Sequence, residues 1–241
     1  MKKLGAMAVL VAVFASHAVS DSPPPKDAEF VFARVQFNMN FQAAFDPEAP
    51  WHHDYPFSED FFLMILKEVT NIHVTREAYR VVQLDSPDIF KYPFLYFSEP
   101  GFMSLTPQET TNLREWFNRG GFALFDDFRT IRSQRHLDNL RFQMKKVFPD
   151  RDFVRLTIDH PIFNPFYQVD SLVMDPPYFQ GEMVPEFWGM SDDRGRLIAL
   201  GNHNNDLGEF FEWVDRGEMP FRPAAKATRL AVNYLIYAMT H

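Results

Sequence analysis

The side chains with the most chemical reach are acidic, and their tightest pairing is Asp126-Asp127, directly after the apolar run Phe122-Ala123-Leu124-Phe125. Adjacent carboxylates just past a buried strand can ligate a divalent cation, or divide into a general acid and a general base. A plainer role stands beside that one: one carboxylate accepts hydrogen bonds from a helix N-terminus and the other faces solvent. His203, in the polar run Gly201-Asn202-His203-Asn204-Asn205-Asp206, offers a general base or a metal ligand, against the alternative of a surface turn residue. Trp51-His52-His53-Asp54-Tyr55 crowds two imidazoles, a carboxylate and two aromatics into one loop. Neighbouring residues of a strand point apart, so only an irregular loop would bring both histidines to one ligand. Asp159-His160 precedes Pro161, which holds His160 extended in the manner of a structural turn.

These residues need elements to place them. Phe30 to Phe37 reads as a first strand, Tyr79 to Leu84 as a second and Phe94 to Phe97 as a third, with Phe122–Phe125 and Arg196–Leu200 following. Ser58 is placed to cap a helix running through Val69, and Ser133 to Phe148 and Ala224 to Met239 read as further amphipathic helices. Thr106-Pro107-Gln108-Glu109 orders a cap, a proline at the first helical position and a capping-box glutamate, and Gly120-Gly121 closes that helix. Two apolar strands around one helix make a βαβ unit, hence a mainly parallel sheet covered on both faces.

Ligands of open parallel sheets bind beyond the carboxyl ends of the strands. That rule nominates Asn38 and Asn40, then Ser98, Glu99 and Gly101, then Asp126, Asp127 and Arg129, then the run Gly201–Asp206. The expected ligand-binding set is therefore Asp126, Asp127, Asn205, Asp206, Asn38 and Glu99, with Trp51 as an aromatic platform. The candidates for catalysis and for a metal are Asp126, Asp127 and His203.

The composition narrows the class. The chain has 241 residues, 24 Lys+Arg against 32 Asp+Glu, and no cysteine, which excludes disulfides, thiolate metal sites and a Cys nucleophile. A net charge of −8 argues against nucleic acid as partner. The 27 Phe are read first as core. No GxSxG elbow, Walker glycine loop, GxGxxG fingerprint or HExxH motif occurs.

Lys2-Lys3, the apolar stretch Leu4–Ala15 and the small residues of Ala18-Val19-Ser20 form the three parts of a secretory signal, against an uncleaved anchor as the alternative. Residues 1–20 are thus expected to be a signal peptide and residues 21–28 a proline-rich leader. Residues 29–241 are expected to form a single α/β domain with a loop-rich insertion at about 152–193. The expected address is the bacterial periplasm or exterior, with no membrane span once the leader is cleaved.

Several blocks in order resemble a known family: Phe30–Phe37, Asp88-Ile89-Phe90-Lys91-Tyr92-Pro93-Phe94-Leu95-Tyr96, Gly120-Gly121-Phe122-Ala123-Leu124-Phe125-Asp126-Asp127, Met144–Pro149, Asp159-His160-Pro161-Ile162-Phe163, Asn205-Asp206-Leu207-Gly208 and Arg229–Tyr237. They resemble the domain of unknown function 4159. The resemblance implies a flavodoxin-like or glutamine-amidotransferase-like three-layer fold in an exported or membrane-attached bacterial protein. The amidotransferase Cys nucleophile has no counterpart here. Ser98-Glu99-Pro100-Gly101 and Phe128-Arg129-Thr130 depart from the family pattern at the expected ligand edge.

Three functions are therefore expected in order. First comes an exported noncatalytic binding or assembly module with a polar strand-end pocket, for a polar or glycan ligand or an envelope protein. Second comes a hydrolase that uses Asp126 and Asp127 with His203, around a divalent metal or without one. Third comes an envelope protein–protein interaction domain, whose Phe side chains would gather in one exposed patch.

Overall fold

The computed structural model describes residues 28–131, 134–175, 177, 183–214 and 216–241. The expected signal peptide, most of the leader and Ser133 lie outside these residues. One seven-stranded sheet runs through the molecule in the order β2-β1-β3-β4-β9-β8-β7. Its strands are β1 (Phe32–Gln36), β2 (Tyr79–Gln83), β3 (Phe94–Ser98), β4 (Phe122–Phe128), β7 (Val154–Arg155), β8 (Glu186–Ser191) and β9 (Leu197–His203). A separate two-stranded ribbon pairs β5 (Thr130–Ile131) with β6 (Gln134–Arg135).

Strands β2, β1, β3, β4 and β9 are mutually parallel, and β8 joins β9 antiparallel. The five parallel strands follow the flavodoxin-like arrangement, in which order reverses beside β1 and opens a crevice at the carboxyl edge. Among the described residues five helices, α1 (Phe57–Val69), α2 (Pro107–Asn118), α3 (His136–Val147), α4 (Leu207–Glu212) and α5 (Phe221–Thr240), cover the sheet. One apolar core gathers Phe62, Leu66, Phe94, Phe122, Phe210, Leu230 and Tyr234, from α1, α4, α5 and one sheet face. The second gathers Val35, Leu95, Phe125, Leu113, Trp116, Leu140 and Met144, from α2, α3 and the other face. Strands buried on both faces read as continuous apolar runs, and all five residues of β3 are buried. This is a three-layer α/β fold.

Helix α2 forms as its residues predict. Thr106 Oγ1 accepts from Glu109 N at 3.2 Å and Glu109 Oε2 accepts from Thr106 N at 2.8 Å, closing the capping box. Gly120, at φ 100°, turns the chain into β4, and β3-α2-β4 is the expected parallel βαβ unit.

Two local expectations are corrected. Ser58 does not cap α1, because the helix starts after Pro56 and the Ser58 hydroxyl accepts from Arg34 and donates to Glu59. Helix α3 begins at His136, since Gln134-Arg135 pair in the ribbon. The loop-rich segment at about 152–193 carries two short strands, β7 and β8, that extend the main sheet beyond β9; Gly189 lets the side chains of Leu197 and Leu156 approach where a Cβ would clash at 2.5–2.8 Å. Among the described residues no helix is long and apolar enough to cross a membrane.

Candidate functional site

The carboxyl ends of β1, β3, β4 and β9 carry an unusual backbone. Among the described residues four non-glycine residues have positive φ, namely Asp54 (64°), Glu99 (46°), Asp127 (49°) and Asn204 (58°); Glu99 and Asn204 directly follow β3 and β9, Asp127 lies at the end of β4, and Asp54 lies in the connection from β1 to α1. Left-handed backbone at side-chain-bearing residues is disfavoured and gathers where a fold aims side chains at something.

The aspartate pair divides its work through that geometry. The β4–β9 register shifts between Phe125 and Phe128, so a bulge separates Asp126 from Asp127 and re-aims them. Asp126 is fully buried and meets only donors. Its Oδ1 accepts from Asn202 Nδ2 at 3.1 Å, and its Oδ2 accepts from the Tyr96 hydroxyl at 3.0 Å, Leu207 N at 2.8 Å and Gly208 N at 3.3 Å. It anchors the start of α4. Burial pushes its pKa up to about 6, held there by the Asn202 and Leu207 donors. Asp127, instead of facing solvent, is 2% exposed and receives Arg129 Nη2 at 2.6 Å.

Asp127 meets two further carboxylates. Oxygens of Asp54, Asp127 and Asp206 lie within 4.8 Å of one another. Asp206 caps α4, accepting from Glu209 N at 2.9 Å, and its pKa rises well above the carboxylate range through burial and the neighbouring Asp127 and Asp54. Asp54 is raised too, by burial first and Asp127 second. Its Oδ2 is buried and finds no hydrogen-bond partner. A Cβ on Gly208 would stand 2.4 Å from that oxygen, so only glycine there leaves the carboxylate its position.

Arg34 places Asp54. Fully buried on β1, it pairs with Glu59 and donates to Trp51 O at 3.0 Å and His53 O at 2.8 Å, pinning the backbone on either side of the loop's centre. Beside the trio, His53 Nδ1 stands 3.1 Å from Glu99 Oε2 and its Nε2 stands 3.6 Å from Asp46. The close contact with Glu99 lifts His53 to about 9, while burial lifts Glu99 to about 7.

The remaining expected residues scatter along the same edge. Asn38 and Trp51 line a pocket of about 220 Å³ with Gln36, Gln83, Asp85 and Glu109, apart from the carboxylate trio. Asn205 is buried, with Oδ1 unpartnered and Nδ2 3.5 Å from the Met174 sulfur. His203 turns to Thr130 and Glu186 at 2.9 and 3.2 Å rather than to either aspartate of the pair. His160 caps a short turn through Ile162 N, a structural role.

Sequence reasoning found the strand-end carboxylates and treated His53-Asp54 as a loop motif, but left Asp54 outside the expected ligand set and missed Arg34. A lone arginine inside the apolar run Phe30–Phe37 was the signal, since a buried guanidinium must find fixed partners.

Comparison with known proteins agrees with the geometry in extent. No curated protein matches the chain. The family model described as "Domain of unknown function (DUF4159)" matches residues 31–239, from the first strand to the last helix. The chain belongs to the DUF4159 family.

Proposed function

We propose that this chain is an exported binding module whose carboxylate trio Asp54, Asp127 and Asp206 holds a divalent cation, through which a polar ligand docks at the strand ends. The observation that carries the reading is the trio itself, three buried or half-buried carboxylates with oxygens within 4.8 Å, one of them unpartnered. Bringing such charges together out of water is costly unless protons or a cation neutralise them. An all-oxygen donor set suits Ca²⁺, Mg²⁺ or Mn²⁺ in preference to softer metals. The 220 Å³ pocket with Trp51, Asn38 and two glutamines lies apart from the trio along the same edge and offers apolar and amide groups as a second subsite for a polar ligand. Export rests on the N-terminal pattern of residues 1–20.

The test is thermal unfolding and calorimetry with each cation in turn, then glycans in its presence. A saturable rise in melting temperature with a hard cation, lost in Asp127→Asn, is the expected result. No shift with any cation, or a shift that survives Asp54→Asn and Asp127→Asn, overturns the reading. Cation-dependent turnover of an ester or phosphoester lost in Asp127→Asn would replace it with the hydrolase. The interaction-domain reading gains less support, because apart from Phe41 and Phe45, which share one turn, the exposed Phe57, Phe142, Phe166 and Phe221 sit on separate segments and most Phe are core.

A further inference from the structure

We infer that Thr130, His203 and Glu186 form a hydroxyl-nucleophile triad for acyl transfer from esters, separate from the carboxylate trio. The arrangement has the two contacts that link such a triad. Thr130 Oγ1 lies 2.9 Å from His203 Nε2, and His203 Nδ1 lies 3.2 Å from Glu186 Oε2. Glu186 and His203 are direct cross-strand partners in the antiparallel β8–β9 pair, so the base and the group that orients it are fixed by the sheet. Glu186 is itself held, by Trp188 Nε1 at 3.3 Å and Arg155 Nη1 at 3.1 Å. A nucleophile, a base within hydrogen-bond reach and a third group behind the base constitute an activated hydroxyl whatever the fold.

Burial completes the arrangement. His203 is 4% exposed, packed on the Phe128 ring, while Thr130 is exposed and open to a substrate. Glu186 accepts the Nδ1 proton, which leaves the Nε2 lone pair facing Thr130. Burial lowers the His203 pKa below its ordinary value against the pull of Glu186, which keeps the ring neutral and basic at pH 7. The other titratable groups acting on it are Arg141, Asp138 and His136 of α3, the last held neutral by burial, which lowers it to about 4.

The reaction balances without a co-reactant other than water. Thr130 Oγ1 bonds to the ester carbonyl carbon as its proton passes to His203 Nε2. The tetrahedral adduct collapses, breaking the bond to the alkoxy oxygen, which leaves as an alcohol with the proton from Nε2. Water then attacks the acyl-threonine, giving its proton to Nε2, and the Thr130 oxygen leaves and takes that proton back. An ester and water become a carboxylic acid and an alcohol.

The experiment uses the purified protein and p-nitrophenyl acetate, with release followed against pH and the acyl group located by peptide mass mapping. The expected results are acetylation at Thr130 and a rate that rises through a titration below the ordinary histidine value. Thr130→Ala should fall by roughly 10²-fold or more, Thr130→Ser should retain the reaction, and Glu186→Gln should slow it and move the pH profile. Thr130 is exposed, so Thr130→Ala and Thr130→Ser test the assignment without disturbing the core. Unchanged release in Thr130→Ala, acetylation confined to other residues, or a rate abolished by a chelator would each overturn it, the last by moving the chemistry to the carboxylate trio.

Discussion

Asp126 and Asp127 are neighbours with opposite occupations, and substitution separates them. Every partner of Asp126 is a donor: a tyrosine hydroxyl, an amide NH₂ and two backbone N–H groups. Asparagine there turns an NH₂ toward one of those donors, leaving buried groups unsatisfied at about 1–3 kcal/mol. Asp126→Asn should therefore lower the unfolding midpoint in denaturant while the cation response survives. Asp54→Asn should do the reverse. Its Oδ2 has no hydrogen bond to lose and its charge is opposed by Asp127, so the cation-free protein should gain stability while the cation-dependent rise disappears. Gly208→Ala adds a Cβ 2.4 Å from the same oxygen and should weaken the cation response by displacing the carboxylate without altering any charge. Calorimetric titration of the three variants with one cation separates anchoring, ligation and space.

At the scale of elements, cation response and helix stability should come apart. Thr106→Ala removes the Oγ1 acceptor at the start of α2 and should cost about 1 kcal/mol while leaving the strand-end site intact. Urea unfolding with and without cation would measure both effects. That cap was legible because its signal lies within four residues, Thr106 to Glu109, with donor and acceptor on one turn. The apolar strands were legible for a similar reason, since burial on both faces writes continuous hydrophobic runs. The hidden parts depend on distant partners. β7 is two exposed residues that count as strand only through Trp188 and Gly189. Ser58 has the side chain of a helix cap, and Arg34, 24 residues earlier, diverts it. Asp54 looks like any loop aspartate until Arg34 fixes the carbonyls of Trp51 and His53, 17 and 19 residues away. The strand-end rule located the acidic edge; the selection among its carboxylates was made by a buried cation and a bulge.

The whole molecule concentrates its acidic strain at one edge of the sheet, and pH reports on the sum. Asp126 rises from 3.8 to about 6 and Glu99 from 4.5 to about 7, with Asp54 and Asp206 raised as well. A carboxyl whose pKa is higher folded than unfolded binds more protons in the native state. Its contribution is fully present below the unfolded value and is lost as pH climbs through the folded one. His53, lifted from 6.5 to about 9 by Glu99, has the same sign over a later window, stabilising below 6.5 and fading through 9. The raised carboxylates should therefore make stability without cation fall between about pH 4 and pH 7, against the opposite contribution of His136, lowered to about 4, and of His160 and His203, also lowered by burial, and His53 should bring a further fall toward pH 9. A divalent cation that takes the place of those protons binds better as the carboxylates ionise, so saturating cation should flatten or reverse the first decline and leave the second, which belongs to His53. Denaturant midpoints across that range, with chelator and with cation, provide the measurement. A decline that is identical in both conditions would mean that the raised carboxylates hold protons alone and that the edge binds no cation.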